Sequence, residues 1–356
     1  MIRLLIADDS ALMRKLLAGV FAAEGDFEVT LARDGEEALE QALRMRPDVV
    51  TLDVQMPRMD GLSCLDRLMI EAPCPVVMVA ALTARGADAT LEAMRLGAVD
   101  FVPKPAGAVS LAIDSFGPLI VAKVRAAARA KLRRSLRLAE RVRHRTGGLS
   151  ETATPTAEFA EAGAGGPAGL VLIGTSTGGP PALESVLTQL PASFPWPVLV
   201  AQHMPATFTS AMARRLNGLC ALDVVEVGEP TPLRPGRVHI ARGDADVLVA
   251  SRAAGPVALP APASSRHLWH PSVDRMVESA MEQIPPERLL GVLMTGMGND
   301  GAEAMTRLRA RGGRTIAEAE STAVVWGMPG ELVRAGGADL VAPVDEIASA
   351  MLAMVA

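Results

Sequence analysis

Short apolar segments alternate with longer amphipathic segments along most of this 356-residue chain. Short apolar runs bounded by turn residues indicate buried strands, and the segments between them have the apolar spacing of helices. Because parallel strands are joined by crossover connections that are usually helices, the alternation predicts an α/β fold with doubly wound parallel sheets. It occurs before residue 105 and again from residue 169, so we predict two such domains.

The predicted strands locate the functional residues, which in parallel sheets follow the carboxyl ends of strands. In the first domain the predicted strands are Ile2–Ala7, Asp48–Leu52, Pro75–Val79 and Val99–Val102, and the predicted helices are Ser10–Ala23, Gly35–Arg44, Cys64–Ile70 and Ala87–Leu96. In the second domain the predicted strands include Leu170–Ile173, Val198–Ala201, Val238–Ala241, Val247–Ala250 and Leu289–Met294. Residues directly after these strands are therefore the first candidates for functional sites.

The segment between the two predicted domains has a different composition. Residues 119–145 are rich in alanine, leucine and arginine and contain a single acid, Glu140, which predicts a basic helix. We favour a solvated linker helix over a surface that binds an acidic partner or nucleic acid. Residues 146–169 have the composition of a flexible linker. We therefore predict a first domain over 1–118, a linker over 119–168 and a second domain over 169–356.

Composition argues against several classes of protein. The formal net charge is −5, which gives no general attraction to nucleic acid or to membranes. The three cysteines are widely spaced, and their scarcity is typical of a reducing compartment. Acidic residues follow Met1 too early for a signal peptide, and no apolar segment is long enough to span a membrane. We expect a cytoplasmic protein that neither binds nucleic acid nor inserts into membranes.

Charged residues follow the predicted strands of the first domain. Asp8 and Asp9 follow the first strand, Asp53 follows a strand farther along, and Lys104 follows the last. Three carboxylates gathered at one sheet edge would repel one another unless a cation joined them, and oxygen ligands suit Mg²⁺. Lys104 would place a positive charge beside a phosphoryl oxygen. The alternative is that each acid has a separate structural role.

These residues belong to motifs that resemble the receiver domain of bacterial response regulators over residues 1–105. The motifs are Asp8-Asp9-Ser10, Asp53-Val54-Gln55-Met56-Pro57-Arg58-Met59-Asp60-Gly61 and Lys104-Pro105. The resemblance implies that Asp53 accepts a phosphoryl group from a partner histidine kinase. It also implies that Mg²⁺ is bound by Asp8, Asp9, Asp53 and the backbone carbonyl of Gln55. Receivers usually have Thr or Ser where this chain has Ala80, whereas Phe101 fills the aromatic switch position.

A glycine-rich turn with a serine at its tip follows the first strand of the second domain. Gly174-Thr175-Ser176-Thr177-Gly178 matches the G-x-S-x-G pattern of a nucleophile elbow, in which small flanking residues leave the hydroxyl exposed. The alternative is a phosphate-binding turn, or a merely tight turn from strand to helix. Ser176 is the candidate nucleophile.

A serine nucleophile needs a base to take its proton, and histidine suits neutral pH. His203 directly follows a predicted strand, which places it at the same expected sheet edge as Ser176. The other histidines are His144 in the basic segment, His239 within a predicted strand, and His267 and His270 in a predicted loop that could line a pocket. His203 is therefore the candidate base.

A third group should orient the imidazole and stabilise its charged form. Asp300 follows another strand, in the glycine-rich segment Thr295-Gly296-Met297-Gly298-Asn299-Asp300-Gly301, and its alternative role is a helix N-cap. The chain order Ser, His, Asp differs from the Ser, Asp, His order of α/β-hydrolases. The predicted triad would therefore be another convergent version.

The second half of the chain resembles the catalytic domain of chemotaxis protein-glutamate methylesterases, a family in which this domain follows a receiver. The matching segments are residues 174–180, Gln202-His203-Met204-Pro205, Pro271-Ser272-Val273-Asp274, residues 295–301 and Gly327-Met328-Pro329. The resemblance implies that Ser176 is the nucleophile, His203 the general base and Asp300 its orienter. The backbone N–H of Met297, with Thr177 nearby, would stabilise the tetrahedral intermediate, and hydrolysis would need no cofactor.

The implied substrates are γ-glutamyl methyl esters on methyl-accepting chemotaxis receptors, with deamidation of receptor glutamines as a second activity. Phosphorylation of the receiver would control both. Leu268-Trp269-His270 replaces the single Arg or Tyr more usual before Pro-Ser-Val-Asp, which leaves open a hydrolase for a non-chemotaxis protein. Two further alternatives are a transcriptional regulator that binds DNA through residues 119–145, and a scaffold without catalysis.

Overall fold

The computed structural model describes residues 1–105, 109–130 and 168–355, and its first unit is a five-stranded parallel sheet. The strands are β1 (Ile2–Ala7), β2 (Phe27–Ala32), β3 (Val49–Asp53), β4 (Val76–Ala80) and β5 (Asp100–Pro103). Their order is β2-β1-β3-β4-β5, so the winding of the chain reverses between β1 and β3. Ligand sites of open parallel sheets form at such a reversal, and Asp8 and Asp53 lie there.

Four helices follow the first four strands. They are α1 (Ala11–Glu24), α2 (Gly35–Met45), α3 (Gly61–Glu71) and α4 (Ala84–Leu96). Each begins after a polar side chain that accepts a hydrogen bond from the first turn, which satisfies N–H groups that the helix leaves free. These capping residues are Ser10, Asp34, Asp60 and Thr83.

The fifth helix, α5 (Val109–Ala128), corrects the prediction that a solvated linker helix begins at residue 119. Ile120, Val121, Val124 and Ala127 are buried in the apolar core of the first unit. Their spacing is that of one helix face, which the abundance of arginine obscured in the sequence. Residues 119–128 therefore pack as part of the first unit.

Two of the basic residues in this helix are ion-paired. The Lys123 ammonium lies 2.8 Å from the carboxylate of Asp100, and both side chains are largely buried. Arg125 lies 2.8 Å from a carboxylate oxygen of Asp26. Most of the predicted basic segment, including His144, lies outside the described residues.

The second unit contains a seven-stranded parallel sheet with the order β15-β14-β13-β6-β7-β10-β8. Its strands are β6 (Leu170–Thr175), β7 (Val198–Gln202), β8 (Asp223–Val227), β10 (Arg237–Ala241), β13 (Leu289–Leu293), β14 (Arg314–Glu318) and β15 (Leu340–Ala342). The helices are α6 (Gly179–Leu187), α7 (Ala206–Asn217), α8 (Val273–Gln283), α9 (Ala302–Ala310), α10 (Met328–Arg334) and α11 (Val344–Val355). The central strand β6 has β7 on one side and β13 on the other, so the loops after these three strands meet.

A separate antiparallel sheet is formed by one short strand that precedes β10 in the chain and by two strands between β10 and β13. It consists of β9 (Thr231–Pro232), β11 (Ala245–Arg252) and β12 (Gly255–Pro262), in the order β11-β12-β9. The strand predicted at Val247–Ala250 as part of the α/β unit belongs to this sheet. The reason is local, because Gly255 has a left-handed φ of 115° and β12 turns straight back along β11 without a crossover helix.

The predicted fold class is confirmed, and every strand predicted in the first domain is present within one residue of its predicted ends. Sequence analysis named no strand at β2, β8, β9, β14 or β15, and the side chains of β2 and β15 are partly exposed. It also missed β12, because its prolines argued against a strand. Among the described residues, no helix is both long and apolar enough to cross a membrane.

The two units pack against each other through α4 of the first and α7 of the second. Phe101 on β5 stacks on Phe208 in α7, with ring centroids 4.3 Å apart, and both rings are buried. Arg215 lies 3.9 Å from Glu92 of the first unit and 3.2 Å from Glu184 of the second. Phe101, which the resemblance places at an aromatic switch position, is therefore buried at the contact between the units.

We predict that Gly61→Ala destabilises the chain whereas Gly19→Ala stabilises it. A Cβ at Gly61 would lie 2.0 Å from the carbonyl oxygen of Asp53, so the end of β3 would have to move, at a cost of about 1–3 kcal/mol. Gly19 is exposed within α1 and a Cβ there meets nothing within 4 Å, so alanine should add about 0.5–1 kcal/mol. Thermal unfolding of both variants measures the difference, and equal melting temperatures would contradict the close approach at Gly61.

Candidate active site and phosphorylation site

Ser176 lies in the turn between β6 and α6, at the centre of the second sheet. Two positions of this turn accept no residue other than glycine. Gly178 has a left-handed φ of 76°, and a Cβ on Gly179 would lie 1.8 Å from the side-chain oxygen of Gln202. The glycines thus bring the end of β6 close to its neighbours and leave Ser176 directly before the positive end of α6.

Gln202, which sequence analysis left without a role, joins the ends of β6 and β7. Its side-chain oxygen accepts a hydrogen bond from the Thr175 hydroxyl at 2.6 Å, and its amide nitrogen donates to the Ser176 carbonyl at 3.0 Å. The backbone N–H of His203 donates to the Thr175 carbonyl at 3.1 Å. These contacts hold the candidate base beside the candidate nucleophile. The only signal in the sequence was a polar residue at the end of an apolar strand.

The structure brings His203 and Asp300 into direct contact. Nε2 of His203 lies 2.7 Å from Oδ2 of Asp300, and both residues are buried. Because the carboxylate accepts this hydrogen bond, Nε2 carries the proton and Nδ1 of a neutral imidazole carries the lone pair. Within the described part of the chain, neither Nδ1 of His203 nor the hydroxyl of Ser176 has a hydrogen-bond partner. Nδ1 is therefore the nitrogen available to take a proton.

Asp300 accepts hydrogen bonds from the start of helix α8 as well as from His203. The backbone N–H groups of Val273 and Asp274 donate to it at 2.7 and 3.0 Å, and the Ser272 hydroxyl donates at 3.1 Å. Burial alone would raise the pKa of Asp300, but these contacts lower it overall, so the group is ionised. The two expected roles coexist, because Asp300 also accepts N–H groups in the first turn of α8, whereas Gly301 is at the N-cap of α9, the helix that follows Asp300 in the chain.

Asp274 places a second buried carboxyl beside Asp300. Burial and repulsion from Asp300 raise the pKa of Asp274, although the backbone N–H of Ala304 donates to it at 3.0 Å. Asp274 therefore loses its proton at a higher pH than Asp300 does. Asp300 therefore remains the anion that faces His203.

Two backbone N–H groups flank Ser176 without protein acceptors among the described residues, those of Thr177 and Met297. The Met297 loop runs alongside the nucleophile, since the Ser176 N–H donates to the Thr295 carbonyl at 2.9 Å. A Cβ on Gly296 would lie 2.8 Å from Cβ of Ser176, so only glycine permits this approach. The arrangement is suited to bind an oxyanion, and the roles of Thr177 and Met297 stay predictions.

The other described histidines are engaged elsewhere. His239 is buried within β10 between the carbonyls of Val198 and Pro232, and burial lowers the pKa of its imidazole to about 4. Nδ1 of His267 lies 3.3 Å from the Ser272 hydroxyl. Nδ1 of His270 lies 2.8 Å from Asp246, a buried residue that sequence analysis did not single out. His203 is the one of these four that hydrogen-bonds to Asp300, although a ring nitrogen of His267 lies within 4.8 Å of an Asp300 carboxylate oxygen.

The charged residues of the first unit also meet at a sheet edge. One carboxylate oxygen each of Asp8, Asp9 and Asp53 lies within 4.8 Å of the others, and Asp8 and Asp53 are buried. Nζ of Lys104 lies 2.7 Å from Asp53 and 3.0 Å from Asp8. The donor set consists of oxygens and is open on the exposed Asp9 side, which suits Mg²⁺.

Burial governs the electrostatics of this second site. It raises the pKa of Asp53, although the hydrogen bond from Lys104 opposes the change. Burial alone would lower the pKa of Lys104, but Asp53 and Asp8 raise it overall. The backbone N–H of Gln55 donates to Asp53 at 3.3 Å, and its carbonyl stays a predicted ligand. Ala80, at the end of β4, is fully buried and offers no hydroxyl.

A hydrogen bond joins the two units directly beside Ser176. The Thr177 hydroxyl donates to the carboxylate of Asp100 at the start of β5, which also pairs with Lys123. A cleft of about 530 Å³ lies nearby, between α5 and two loops, one that contains Met297 and one that contains residues 323–327. Sequence analysis could not find Asp100, because its partner is 77 residues away in the other unit.

Comparisons with known proteins agree for both units. Family models described as CheB methylesterase and as response regulator receiver domain match residues 171–351 and 4–113. The chain is 63% identical to protein-glutamate methylesterase/protein-glutamine glutaminase 2 of Rhodopseudomonas palustris (strain BisB18), over 99% of this chain and 98% of that protein. It is 53% identical to protein-glutamate methylesterase/protein-glutamine glutaminase 3 of Rhodospirillum rubrum, over 98% and 95%.

One solved structure is similar to the second unit. The crystal structure of the Thermotoga maritima CheB methylesterase catalytic domain is 35% identical, with a TM-score of 0.51, and the match covers 52% of this chain and 98% of that domain. The match therefore supports the observed arrangement of the second sheet.

We predict that Asp300→Asn lowers kcat for ester hydrolysis about 10,000-fold, the size typical of losing the acid of a Ser-His-Asp triad. The amide cannot hold the proton on Nε2 of His203 or stabilise the charged imidazole. Methanol release from methylated receptor measures the effect. Asp223→Asn is the control, since its ion pair with Arg237 lies on the edge strand β8. Equal rates for the two variants would contradict the role of Asp300.

Proposed function

Because the chain belongs to the CheB methylesterase family and carries a receiver domain, we propose that it is a phosphorylation-regulated protein-glutamate methylesterase and protein-glutamine glutaminase. Its substrates are γ-glutamyl methyl esters and particular glutamines on methyl-accepting chemotaxis receptors. The observation that carries the proposal is the buried contact of 2.7 Å between His203 and Asp300, beside Ser176. Relatives that match nearly the whole chain carry both activities in their names, which disfavours a non-chemotaxis substrate.

The first chemical step forms an acyl-enzyme. The Ser176 hydroxyl attacks the side-chain carbonyl carbon of the substrate while Nδ1 of His203 accepts its proton. Asp300 stabilises the imidazolium that results, and the N–H groups of Met297 and Thr177 donate to the oxyanion. One such donor is typically worth about 3 kcal/mol of transition-state stabilisation. The intermediate collapses as His203 returns the proton to the leaving methoxide, and methanol departs.

The second step restores the enzyme. His203 takes a proton from water, the hydroxide attacks the acyl carbon, and Ser176 leaves with the proton that His203 returns. The product is a receptor glutamate. With a glutamine substrate the same steps release ammonia in place of methanol. Water and these side chains account for every atom and proton in both reactions.

Two rival functions have less support. A DNA-binding regulator would use the basic segment, yet Lys123 and Arg125 form ion pairs within the first unit. A scaffold without catalysis gives no reason for a buried imidazole–carboxylate pair beside a serine, since burying such groups is costly unless they are fully paired.

We predict that Ser176→Ala abolishes methanol release from methylated receptor and ammonia release from receptor glutamine. The full chain is assayed with and without acetyl phosphate and Mg²⁺. Ser185→Ala serves as a matched control. Ser185 lies in α6, the helix that follows Ser176, and it is not one of the proposed catalytic residues. Release of methanol or ammonia by Ser176→Ala at the wild-type rate would rule out the serine mechanism.

Phosphorylation of the first unit regulates this reaction in our proposal. Receiver domains use Mg²⁺ for phosphorylation, and here Asp8, Asp9, Asp53 and the Gln55 carbonyl would hold the ion. The bound ion offsets the negative charge of the phosphoryl group. Asp53 accepts that group from a histidine kinase, and Lys104 binds one of its oxygens. Because Ala80 has no hydroxyl, Lys104 is the residue that carries the signal to β5.

Strand β5 connects the two sites. Lys104 follows its carboxyl end and contacts Asp53, whereas Asp100 and Phe101 in the strand contact Thr177 and Phe208 of the second unit. We infer that the receiver covers the Ser176 cleft in this arrangement and that movement of Lys104 weakens both contacts. A change of about 2 kcal/mol in this docking equilibrium would change activity about thirtyfold.

We predict that Thr177→Val raises activity without phosphodonor about tenfold, since it removes a hydrogen bond to a charged group worth about 1.5 kcal/mol or more. The variant keeps the shape and the backbone N–H of Thr177, so activity with phosphodonor should stay at the wild-type level. Thr177→Ser keeps the hydroxyl and is the control. A loss of activity in Thr177→Val under both conditions would instead assign the hydroxyl to the chemistry.

A further inference from the structure

An indole ring lies parallel to the imidazole of His203. The ring centroids of Trp269 and His203 are 5.8 Å apart and their planes differ by 13°. Both values are within the range of favourable offset stacking. A Cβ on Gly298 would lie 3.5 Å from Nε1 of Trp269, so the indole also borders the loop of Met297. Trp269 therefore contacts the base and lies beside the loop that flanks the nucleophile.

A buried carboxylate fixes the loop that carries Trp269. Asp246 accepts the backbone N–H groups of Ser264 at 3.1 Å and of Ser272 at 2.8 Å, so one side chain closes both ends of the segment 264–272. It also accepts from Nδ1 of His270 at 2.8 Å and pairs with Arg275. The Asp246 side chain is completely buried. The loop is therefore held firmly although it lies at the surface.

The orientation of the imidazole requires a second restraint. Nε2 of His203 bonds to Asp300, but Nδ1 has no partner within the described part of the chain. A ring held at one nitrogen can still rotate about that hydrogen bond, which would turn Nδ1 away from Ser176. A parallel ring on its face removes this rotation. The neighbouring Leu268 is 90% exposed, so the loop leaves an apolar side chain in water while Trp269 covers His203.

We propose that Trp269 is a positioning residue of the hydrolytic site, which fixes the plane of the His203 imidazole so that Nδ1 faces Ser176. The inference rests on the proposed function. A displacement of about 1 Å in a reacting group can lower a rate about a hundredfold. Because Trp269 acts through His203, its loss should lower kcat and leave KM nearly unchanged.

The test compares Trp269→Leu with Trp269→Phe in the full chain, with phosphodonor and methylated receptor. Leucine is apolar but has no ring face, and we expect kcat to fall about 10- to 100-fold with KM within about threefold. Phenylalanine retains a ring face, and kcat should stay within about threefold of the wild-type value. Leu268→Ala is the control beside it and should change kcat less than about twofold.

A second measurement leaves the receptor out. A fluorophosphonate probe reports how readily His203 activates Ser176, and its rate of labelling should fall in Trp269→Leu by the same factor as kcat. If that variant does not fold, Asp246→Asn serves in its place, because it loosens the loop without mutating Trp269. Smaller decreases in kcat and in the labelling rate are then expected.

Two results would overturn the inference. One is a raised KM with unchanged kcat in Trp269→Leu, which would make Trp269 a substrate contact. The other is an equal loss in the leucine and phenylalanine variants. If Ser176→Ala were labelled at the wild-type rate, or still released methanol, the result would instead contradict the proposed function. The two failures are therefore distinguishable.

Discussion

The buried carboxylate of Asp300 is the group around which the hydrolytic site is built. A buried anion is stable only when donors surround it, and Asp300 has four: His203, the Ser272 hydroxyl and the N–H groups of Val273 and Asp274. These donors come from the end of β7 and from the first turn of α8. One electrostatic requirement thus fixes a loop, a strand end and a helix relative to one another, and it fixes the position of Nε2 of His203.

Most candidate residues of both sites could be chosen from the sequence because they lie at the end of a strand of a parallel sheet or directly after it. Asp53 ends β3 and Asp8 follows β1, whereas Ser176 and His203 follow β6 and β7. An apolar run that ends in a polar residue is visible in the sequence, and the geometry of parallel sheets brings such ends together. Their pairing distances, and the use of Nε2 rather than Nδ1 toward Asp300, could not be predicted in this way.

Residues that act through tertiary contacts gave no comparable signal. Asp246 lies within an antiparallel hairpin and closes a loop almost 20 residues away, at Ser264. Asp100 was hidden inside a predicted strand, and its contact with Thr177 depends on how two units pack. The arginine-rich composition of α5 likewise obscured an apolar face that only the packed helix reveals. In each case the pattern along the chain was local, whereas the contact that gives the residue its role is not.

Thr177 offers two groups to two different parts of the protein. Its backbone N–H lies beside the nucleophile, and its hydroxyl contacts the receiver at Asp100. Every amino acid except proline supplies the first group, but few supply the second. Under the proposed regulation, a substitution that removes the hydroxyl would change the response to phosphorylation while it keeps the backbone donor. In the proposed mechanism, this one position would therefore set how fast the reaction runs before phosphorylation, independently of the groups that carry out the chemistry.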